Sequence, residues 1–556
     1  MLKKNLIWIL LLILTVPSFF TLLRPGFFPM QDDLQAFRIQ QMDKCFQDLQ
    51  IPCRWVPDPG YQYGYPQFNY YPPSVYYLGE ITHLIGFQII DAVKILFILG
   101  FVLSAVTMFI FLRSWLGEWP ALLGSMLYTY APYKAVDVYV RGAMSEFWSF
   151  VFFPLIFWSS YQLIKFNKTK YLAWLALSVG LLLITHNLMS MIFLPVAAVW
   201  SLIWVYLEKK WQILPKLILG ASLGLGLAAF FTLPVIWEKQ YVHVESMLGG
   251  YFDYRQHFVD LNQLFISNHW GYGSSYLGPN DDLSLSTGQV QWLISLLAVI
   301  LSCFYFKKDK KRATVVFILA LTTLLVLFLT HQKSSFIWAK IGILSWLQFP
   351  WRILADSVFL LSILGAVAVS LIGKKKVALS LGATLVLLLF IMYGSFFRPL
   401  KWFAMSDQEK FSGILWEKEL TISIFDYLPI YAKLPPINKA PVYPEVLDGS
   451  ATFLNYQKGS DYQFGQVKVT SNAKIRLPLF DFPGMKVKID GQIVKHNHND
   501  CRYEEFCLGL ITFDISKGDH TIEAKLNNTP VRTVGNILTA FSILAVGFLF
   551  LRSRKL

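Results

Sequence analysis

The chain has 556 residues, of which 55% are hydrophobic, 16% aromatic and only 15% charged, with a formal net charge of +14. So much apolar surface cannot be hidden in a single soluble core, so an ordinary globular enzyme is excluded and the bilayer is the expected solvent. The basic excess lies in short turns between apolar runs, not in one patch, which argues against nucleic acid as a partner.

Apolar runs approaching the roughly 20 residues of a spanning helix recur at 7–23, 93–112, 119–131, 145–164, 171–186, 191–207, 213–235, 289–306, 313–330, 353–372, 377–394 and 534–551. The expectation is an α-helical polytopic membrane protein of about twelve transmembrane helices, two of them short. Lys3 and Lys4 precede the first run, but no small-residue cleavage site follows, so an uncleaved span is expected rather than a secretory signal. Alternate gaps carry Lys3 and Lys4, Arg113, "KFNKTK", "EKK" with Lys216, "KKDKKR", "GKKK" and "RSRK". The positive-inside rule places these, and both termini, in the cytoplasm.

The other gaps are long, aromatic and richer in acids. The first, 24–92, opens on "QDDLQ", with Asp32 and Asp33 directly behind a span. Asp32 and Gln35 have the spacing of a capping box. A cap needs one acid, however, and a second beside it is better suited to act as a base or to hold a cation. Leu34, Phe37, Gln41, Met42, Cys45 and Leu49 share one face of a helix expected to lie in the membrane interface. The tract "YQYGYPQFNYYPPSVYYLGE" follows, its tyrosines (Tyr65, Tyr70 and Tyr71 among them) suited to headgroup anchoring or to stacking on sugars. In the next acidic gap, Asp137, Arg141 and Glu146 combine acids with a guanidinium suited to phosphate. His186 ends a span, where it either packs or functions. Arg352 follows "SWLQFPW" and either snorkels or is aimed by a fixed turn.

From about 395 the spans stop. "QVKVTSNAKIRLPLFDFPGMKVKIDGQIV" and "LGLITFDISKGDHTIEAKL" alternate apolar and polar residues between Pro-Gly and Asp-Gly turns, predicting a small β-sandwich-like domain over 395–532. A C-terminal transmembrane anchor at 533–556 would follow the body at 1–394. Cys45 with Cys53, and Cys501 with Cys507, fall in these gaps and suggest two disulfides, the alternative being four buried thiols; Cys303 lies in a span. There is no Walker loop, dinucleotide fingerprint, His-Glu-x-x-His or serine triad, so any reaction must draw its energy from the substrate.

A long acid-bearing first loop, a second acidic loop, many spans and a soluble C-terminal domain resemble the GT-C superfamily of polytopic glycosyltransferases. More narrowly, "QDDLQAFRI", "IPCRW", "GYPQFNYYPP", "YVRGAMSE", "LITHNL", "LQFPWRIL", "FDYLP" and "LPLFDFPGMKVKIDG" resemble bacterial membrane proteins labelled 6-pyruvoyl-tetrahydropterin synthase-related, akin to YfhO-type proteins. That label is no activity, since the zinc ligands of a pterin synthase are missing. In relatives the acid pair often reads His-Asp, which aligns Asp33 with the family's acid and leaves open which aspartate is the base. The resemblance implies a plasma-membrane enzyme whose active site is extracytoplasmic. It would move a sugar from a polyprenyl-phosphate donor to a cell-envelope glycopolymer or glycolipid acceptor. Asp33 or Asp32 would be the general base, Arg141, Arg352 and His186 would bind the donor phosphate, and Tyr65, Tyr70, Tyr71, Asp137 and Glu146 would form the sugar or acceptor cleft. The resemblance leaves open whether a divalent cation, Mg or Mn, takes part; Asp137 and Glu146 are the residues suited to hold it. The competing functions are a transporter or flippase of lipid-linked glycans, and a non-catalytic binder of envelope polymers.

Overall fold

The computed structural model describes residues 2–276 and 281–554; the side chains of Lys3 and Lys4, and Lys555, lie outside the described residues. Every apolar run expected to span is helical. Among the described residues seven helices are able, by length and hydropathy, to cross a bilayer: Ile89–Leu116, Met144–Phe166, Asn187–Leu207, Lys310–Thr330, Pro350–Leu371, Lys375–Phe396 and Pro530–Ser553. An eighth crossing is broken, Trp211–Leu227 meeting Ala229–Trp237 at 75°. Leu6–Ser18, Thr169–Thr185 and Gln289–Tyr305 are shorter apolar helices. Glu118–Thr129 has only 12 residues, so it rises about 18 Å, against the roughly 30 Å of a hydrocarbon core. About twelve spans, two of them short, were expected; among the described residues seven helices, or eight with the broken crossing, have the length and hydropathy to cross.

The short basic turns gather at one end of the bundle. There Lys210 donates to the carbonyls of Ile164 (3.0 Å) and Lys165 (2.7 Å), and Lys311 pairs with Glu208 at 3.0 Å. The long loops meet at the opposite end, where Phe27 pairs with Phe403 in an isolated β-bridge and Gln31 donates to the Gly273 carbonyl.

On that loop face the helix Gln35–Gln47 is buried inside protein rather than laid in the interface, with Phe37, Gln41, Met42 and Cys45 all enclosed. Leu49, expected on the same apolar face, lies beyond the helix and is 82% exposed. Both cysteine pairs form disulfides, and Cys303 is free and exposed.

The C-terminal domain is an antiparallel sheet of β1 (Glu445–Lys458), β2 (Tyr462–Phe480), β3 (Met485–Ile489), β4 (Gln492–Val494), β5 (Leu510–Ile515) and β6 (Gly518–Leu526). The order is β1-β2-β6-β3-β4, with β5 also pairing to β2. The first half of β2 pairs with β6 and its second half with β5. Asp490 and Gly491, both at positive φ, make the tight β3–β4 turn that an Asp-Gly hairpin calls for. Val467, Val469, Ile475, Leu477 and Leu479 point inward from β2, yet this sheet does not enclose its core alone. Trp55 packs on Phe482 and Tyr63 on Phe480, each at 5.5 Å between ring centroids, so the first loop closes the domain.

The last helix is fixed by a buried ion pair, Arg532 Nε to Glu238 Oε2 at 2.9 Å, with Asn69 and Thr529 also donating to Glu238. Both partners are enclosed. Arg532→Met strands the carboxylate and should cost about 3–5 kcal/mol, whereas Arg532→Met with Glu238→Met should recover most of that loss. Thermal unfolding of the detergent-solubilised protein checks both; a single variant as stable as wild type would contradict this account of the anchor.

Candidate active site

Two chain segments meet at the centre of the loop face. Gln31 and Asp32 donate their backbone N–H groups to the carbonyls of Val140 (3.0 Å) and Arg141 (2.8 Å). The second segment runs from the helix Pro132–Val136 into a π-helical turn, Asp137–Arg141, of the kind often found at functional sites. It ends at Gly142, at φ 66°, where a Cβ would lie 2.2 Å from Met30 Sδ, so the close approach of the two segments requires glycine.

The turn presents Arg141 to a buried acid pair. Arg141 Nη1 lies 2.5 Å from Asp137 Oδ1, Nη2 lies 2.9 Å from Glu146 Oε2, and the guanidinium stacks 4.5 Å over Trp351. Tyr133 also donates to Glu146. Arg352 reaches the same Glu146 oxygen at 3.4 Å and directs Nη1 to the Leu347 carbonyl and to Gln348 Oε1, both at 2.8 Å. Its Nη2 has no partner among the described residues. Arg141 is thus spent on holding acids, while Arg352 keeps one donor edge free.

His186 forms a one-residue turn between Thr169–Thr185 and Asn187–Leu207 and caps the second helix, its Nδ1 accepting from the Met189 N–H at 3.2 Å. An acceptor Nδ1 leaves the ring proton on Nε2 as a donor. His186 lies within electrostatic reach of Glu146 and Arg352.

The two aspartates part company. Asp32 accepts from Gln35 Nε2 at 3.0 Å and pairs with Arg38 Nη1 at 3.2 Å. Arg38 Nη1 also donates to the hydroxyls of Tyr71 (3.1 Å) and Tyr76 (3.3 Å), and its guanidinium lies 4.0 Å over the Tyr71 ring. The N-cap of the following helix is Leu34 and has no side-chain bond, so Asp32 does not cap it. Tyr71 joins the two groups, being within electrostatic reach of Arg38, Asp32 and Arg352.

Asp33 turns toward the C-terminal segment, where it pairs with Lys410 at 3.1 Å; Lys410 itself is 3% exposed and lies 2.7 Å from Glu419. Burial raises the Asp33 carboxyl above its ordinary value, with Lys410 pulling the other way. Burial likewise lifts Glu419 to about 7 and Asp426 to about 6, the latter against the nearby Arg38.

Sequence reasoning did not single out Arg38, Lys410, Glu419 or Asp426, although Arg38 and Asp426 stand inside the motifs "QDDLQAFRI" and "FDYLP". Of Tyr65, Tyr70 and Tyr71, Tyr71 alone reaches the cluster, where Tyr76 and Tyr133 also bond. Tyr65 donates to the carbonyls of Ser423 and Ile424, and Tyr70 to that of Glu238, so these two fix backbone. Asp137 and Glu146 both pair with Arg141, and Asp137 Oδ2 is buried without a hydrogen-bond partner among the described residues. Among the described residues no group of three His, Cys, Asp or Glu side chains is arranged to hold an ion.

No family model and no curated protein matches the chain. Solved structures with partial likeness include the arabinofuranosyltransferase AftD from Mycobacteria, at 14% identity and TM-score 0.47, over 72% of this chain and 28% of that one. The Archaeoglobus fulgidus oligosaccharyltransferase is 13% identical at TM-score 0.42, over 72% of this chain and 56% of its own. ArnT from Cupriavidus metallidurans bound to undecaprenyl phosphate is 11% identical at TM-score 0.37, over 69% and 62%. In each comparison the chain spans less than two thirds of the other protein.

The Glu419 proton gives a measurable consequence. The carboxyl titrates near 4.3 when unfolded and at about 7 when folded, so the folded state holds its proton more tightly. Its stabilising contribution is full below the unfolded value and is lost as pH rises through 7. Glu419→Gln should therefore flatten the fall in thermal midpoint between about pH 5 and pH 8; a slope equal to wild type would show that burial of this carboxyl does not govern the dependence.

Proposed function

We propose that the chain is a membrane glycosyltransferase of the GT-C kind, transferring a sugar from a polyprenyl-phosphate donor to a cell-envelope acceptor on the extracytoplasmic face. What supports this reading is that Asp32 and Arg352 both lie within electrostatic reach of Tyr71, with His186 in reach of Arg352. The order of short motifs along the sequence supports the same class.

In this reading the donor lies with its lipid tail in the bilayer and its phosphate against Arg352 Nη2 and the His186 Nε2–H. Asp32, held by Arg38 and Gln35, accepts the proton of the acceptor hydroxyl as its oxygen bonds to the anomeric carbon. The bond from that carbon to the phosphate oxygen breaks, and its electron pair leaves with the phosphate. Preformed donors aimed at the growing charge stabilise it without reorganisation. Arg141 touches no substrate. It neutralises Asp137 and Glu146, and Glu146 in turn pairs with Arg352 Nε, leaving Nη2 to the donor phosphate. Asp33, tied to Lys410, holds the C-terminal segment over the site.

Mass spectrometry of envelope polymers and lipid-phosphate sugars, in a deletion strain complemented with wild type or variants, tests the assignment. Asp32→Asn should lower transfer by about 10²- to 10⁴-fold, the range of a positioned general base, with donor accumulating. Asp33→Asn should lose less. Normal decoration by Asp32→Asn removes it as the base, and an unaltered envelope in the deletion strain removes the proposed function.

Arg352→Lys separates the roles of the two guanidiniums. A lysine cannot serve Leu347, Gln348, Glu146 and a phosphate with one planar fork, so transfer should fall more than tenfold, about 1.4 kcal/mol in the barrier, while the thermal midpoint stays near wild type. A variant that unfolds before it loses transfer would make Arg352 structural.

A further inference from the structure

A recess of about 490 Å³ opens between two segments of the loop face, lined by Ser246, Tyr251 and Phe252 on one side and by Thr421, Ser423 and Asp426 on the other. That volume lies within the roughly 300–1,000 Å³ of small-molecule sites. Its two walls lead to the two halves of the catalytic cluster. Asp426 is an electrostatic neighbour of Arg38 and Asp32. On the opposite wall Tyr251 and Phe252 pack on Phe349, at 5.9 and 6.0 Å between centroids, and Phe349 lies 4.8 Å beneath the Arg352 guanidinium. The walls are also tied to each other, Ser246 Oγ donating to the Phe425 carbonyl at 3.2 Å, and Tyr65 holds the Ser423 and Ile424 carbonyls from below.

The lining chemistry is selective. It offers four hydroxyls (Ser246, Tyr251, Thr421 and Ser423), aromatic faces and one carboxylate, and no lining residue is Lys, Arg or His. Hydroxyls and a carboxylate are matched by ligand O–H donors, and aromatic faces by the C–H face of a ring. A phosphate-bearing ligand would meet Asp426 with no cation on the walls to balance it, a desolvated like-charge contact that works against binding.

We propose that this recess is the acceptor site and that it takes an uncharged polyhydroxy group, a sugar ring or polyol, with Asp426 accepting from one hydroxyl and orienting another toward Asp32. The inference rests on the transferase reading and adds to it the chemical class of the acceptor. An anionic polymer would then be a substrate only through a neutral sugar or polyol unit.

The test uses the full chain in lipid nanodiscs and saturation-transfer NMR, with methyl glucoside, methyl galactoside, N-acetylglucosamine and ribitol as neutral probes and glycerol 3-phosphate as the anionic one. A Cβ added at Gly249, on the rim, meets no atom within 4 Å, so Gly249→Trp should fold normally while obstructing the recess. At least one neutral probe should bind, and its affinity should fall at least about tenfold in Gly249→Trp and in Asp426→Asn. The proposal is overturned if no neutral probe binds, if Gly249→Trp leaves binding unchanged, or if glycerol 3-phosphate binds as well as the neutral probes. Failure of the transferase reading looks different: neutral binding that Gly249→Trp blocks would persist, while the deletion strain kept a normal envelope.

Discussion

Asp32 donating its backbone N–H to the Arg141 carbonyl joins two loops that enter from different helical hairpins. The side chain of Arg141 can be buried there only because Asp137 and Glu146 share its charge and Trp351 covers its face. Taking each such ion out of water costs several kcal/mol after relaxation, so the geometry must be exact enough for paired charges to offset it. Gly142 allows the backbones to approach, the π-helical turn aims the guanidinium, and Glu146 passes the constraint on to Arg352. A site assembled this way is stiff at its centre, since moving any one ion strands another in a low dielectric.

The helices were largely legible because apolar length is a strong and local signal. So were the later strands, where Asp490-Gly491 and Pro483-Gly484 punctuate alternating residues. Strand β1 was not: Asp448, Gly449 and Ser450 interrupt it and most of its residues are exposed, which erases the period of two. Asp32, Asp33, Arg141, Glu146, His186 and Arg352 could be named because each is a polar residue beside a span, where burial is expensive. Lys410 could not, since its bond to Asp33 crosses 377 residues of sequence and a single lysine in a polar segment carries no period. The tyrosine tract shows the opposite limit. Its composition marks an ordered aromatic surface, but tyrosines facing a sugar and tyrosines closing a β-sheet look alike until their partners are known.

Those partners change the meaning of the C-terminal domain. Trp55 and Tyr63 complete its core, Tyr65 fixes the chain that leads into it, Tyr70 holds the Glu238 carbonyl, and Glu238 with Arg532 ties its exit helix to the broken crossing. The domain is therefore continuous with the first loop, not a module hung from a tether. Any displacement of the sheet must be transmitted to residues 54–70, and from there through Tyr71 to Arg38 and Asp32.

The adjacency of two carboxylates follows from that continuity. Each aspartate has its own cation, Arg38 for Asp32 and the buried Lys410 for Asp33, and the two cations belong to different parts of the chain. One acid holds Arg38 beside Tyr71 and Tyr76, while the next binds the segment that returns from the last long loop-face excursion. Had a single aspartate stood at this point, the segment carrying Asp426 would lack its charged attachment to the first loop, and the recess would lack one wall. Consecutive residues in an irregular segment diverge in direction, so a pair of neighbouring acids is an economical way for one turn of chain to hold Arg38 on one side and a structural lysine on the other.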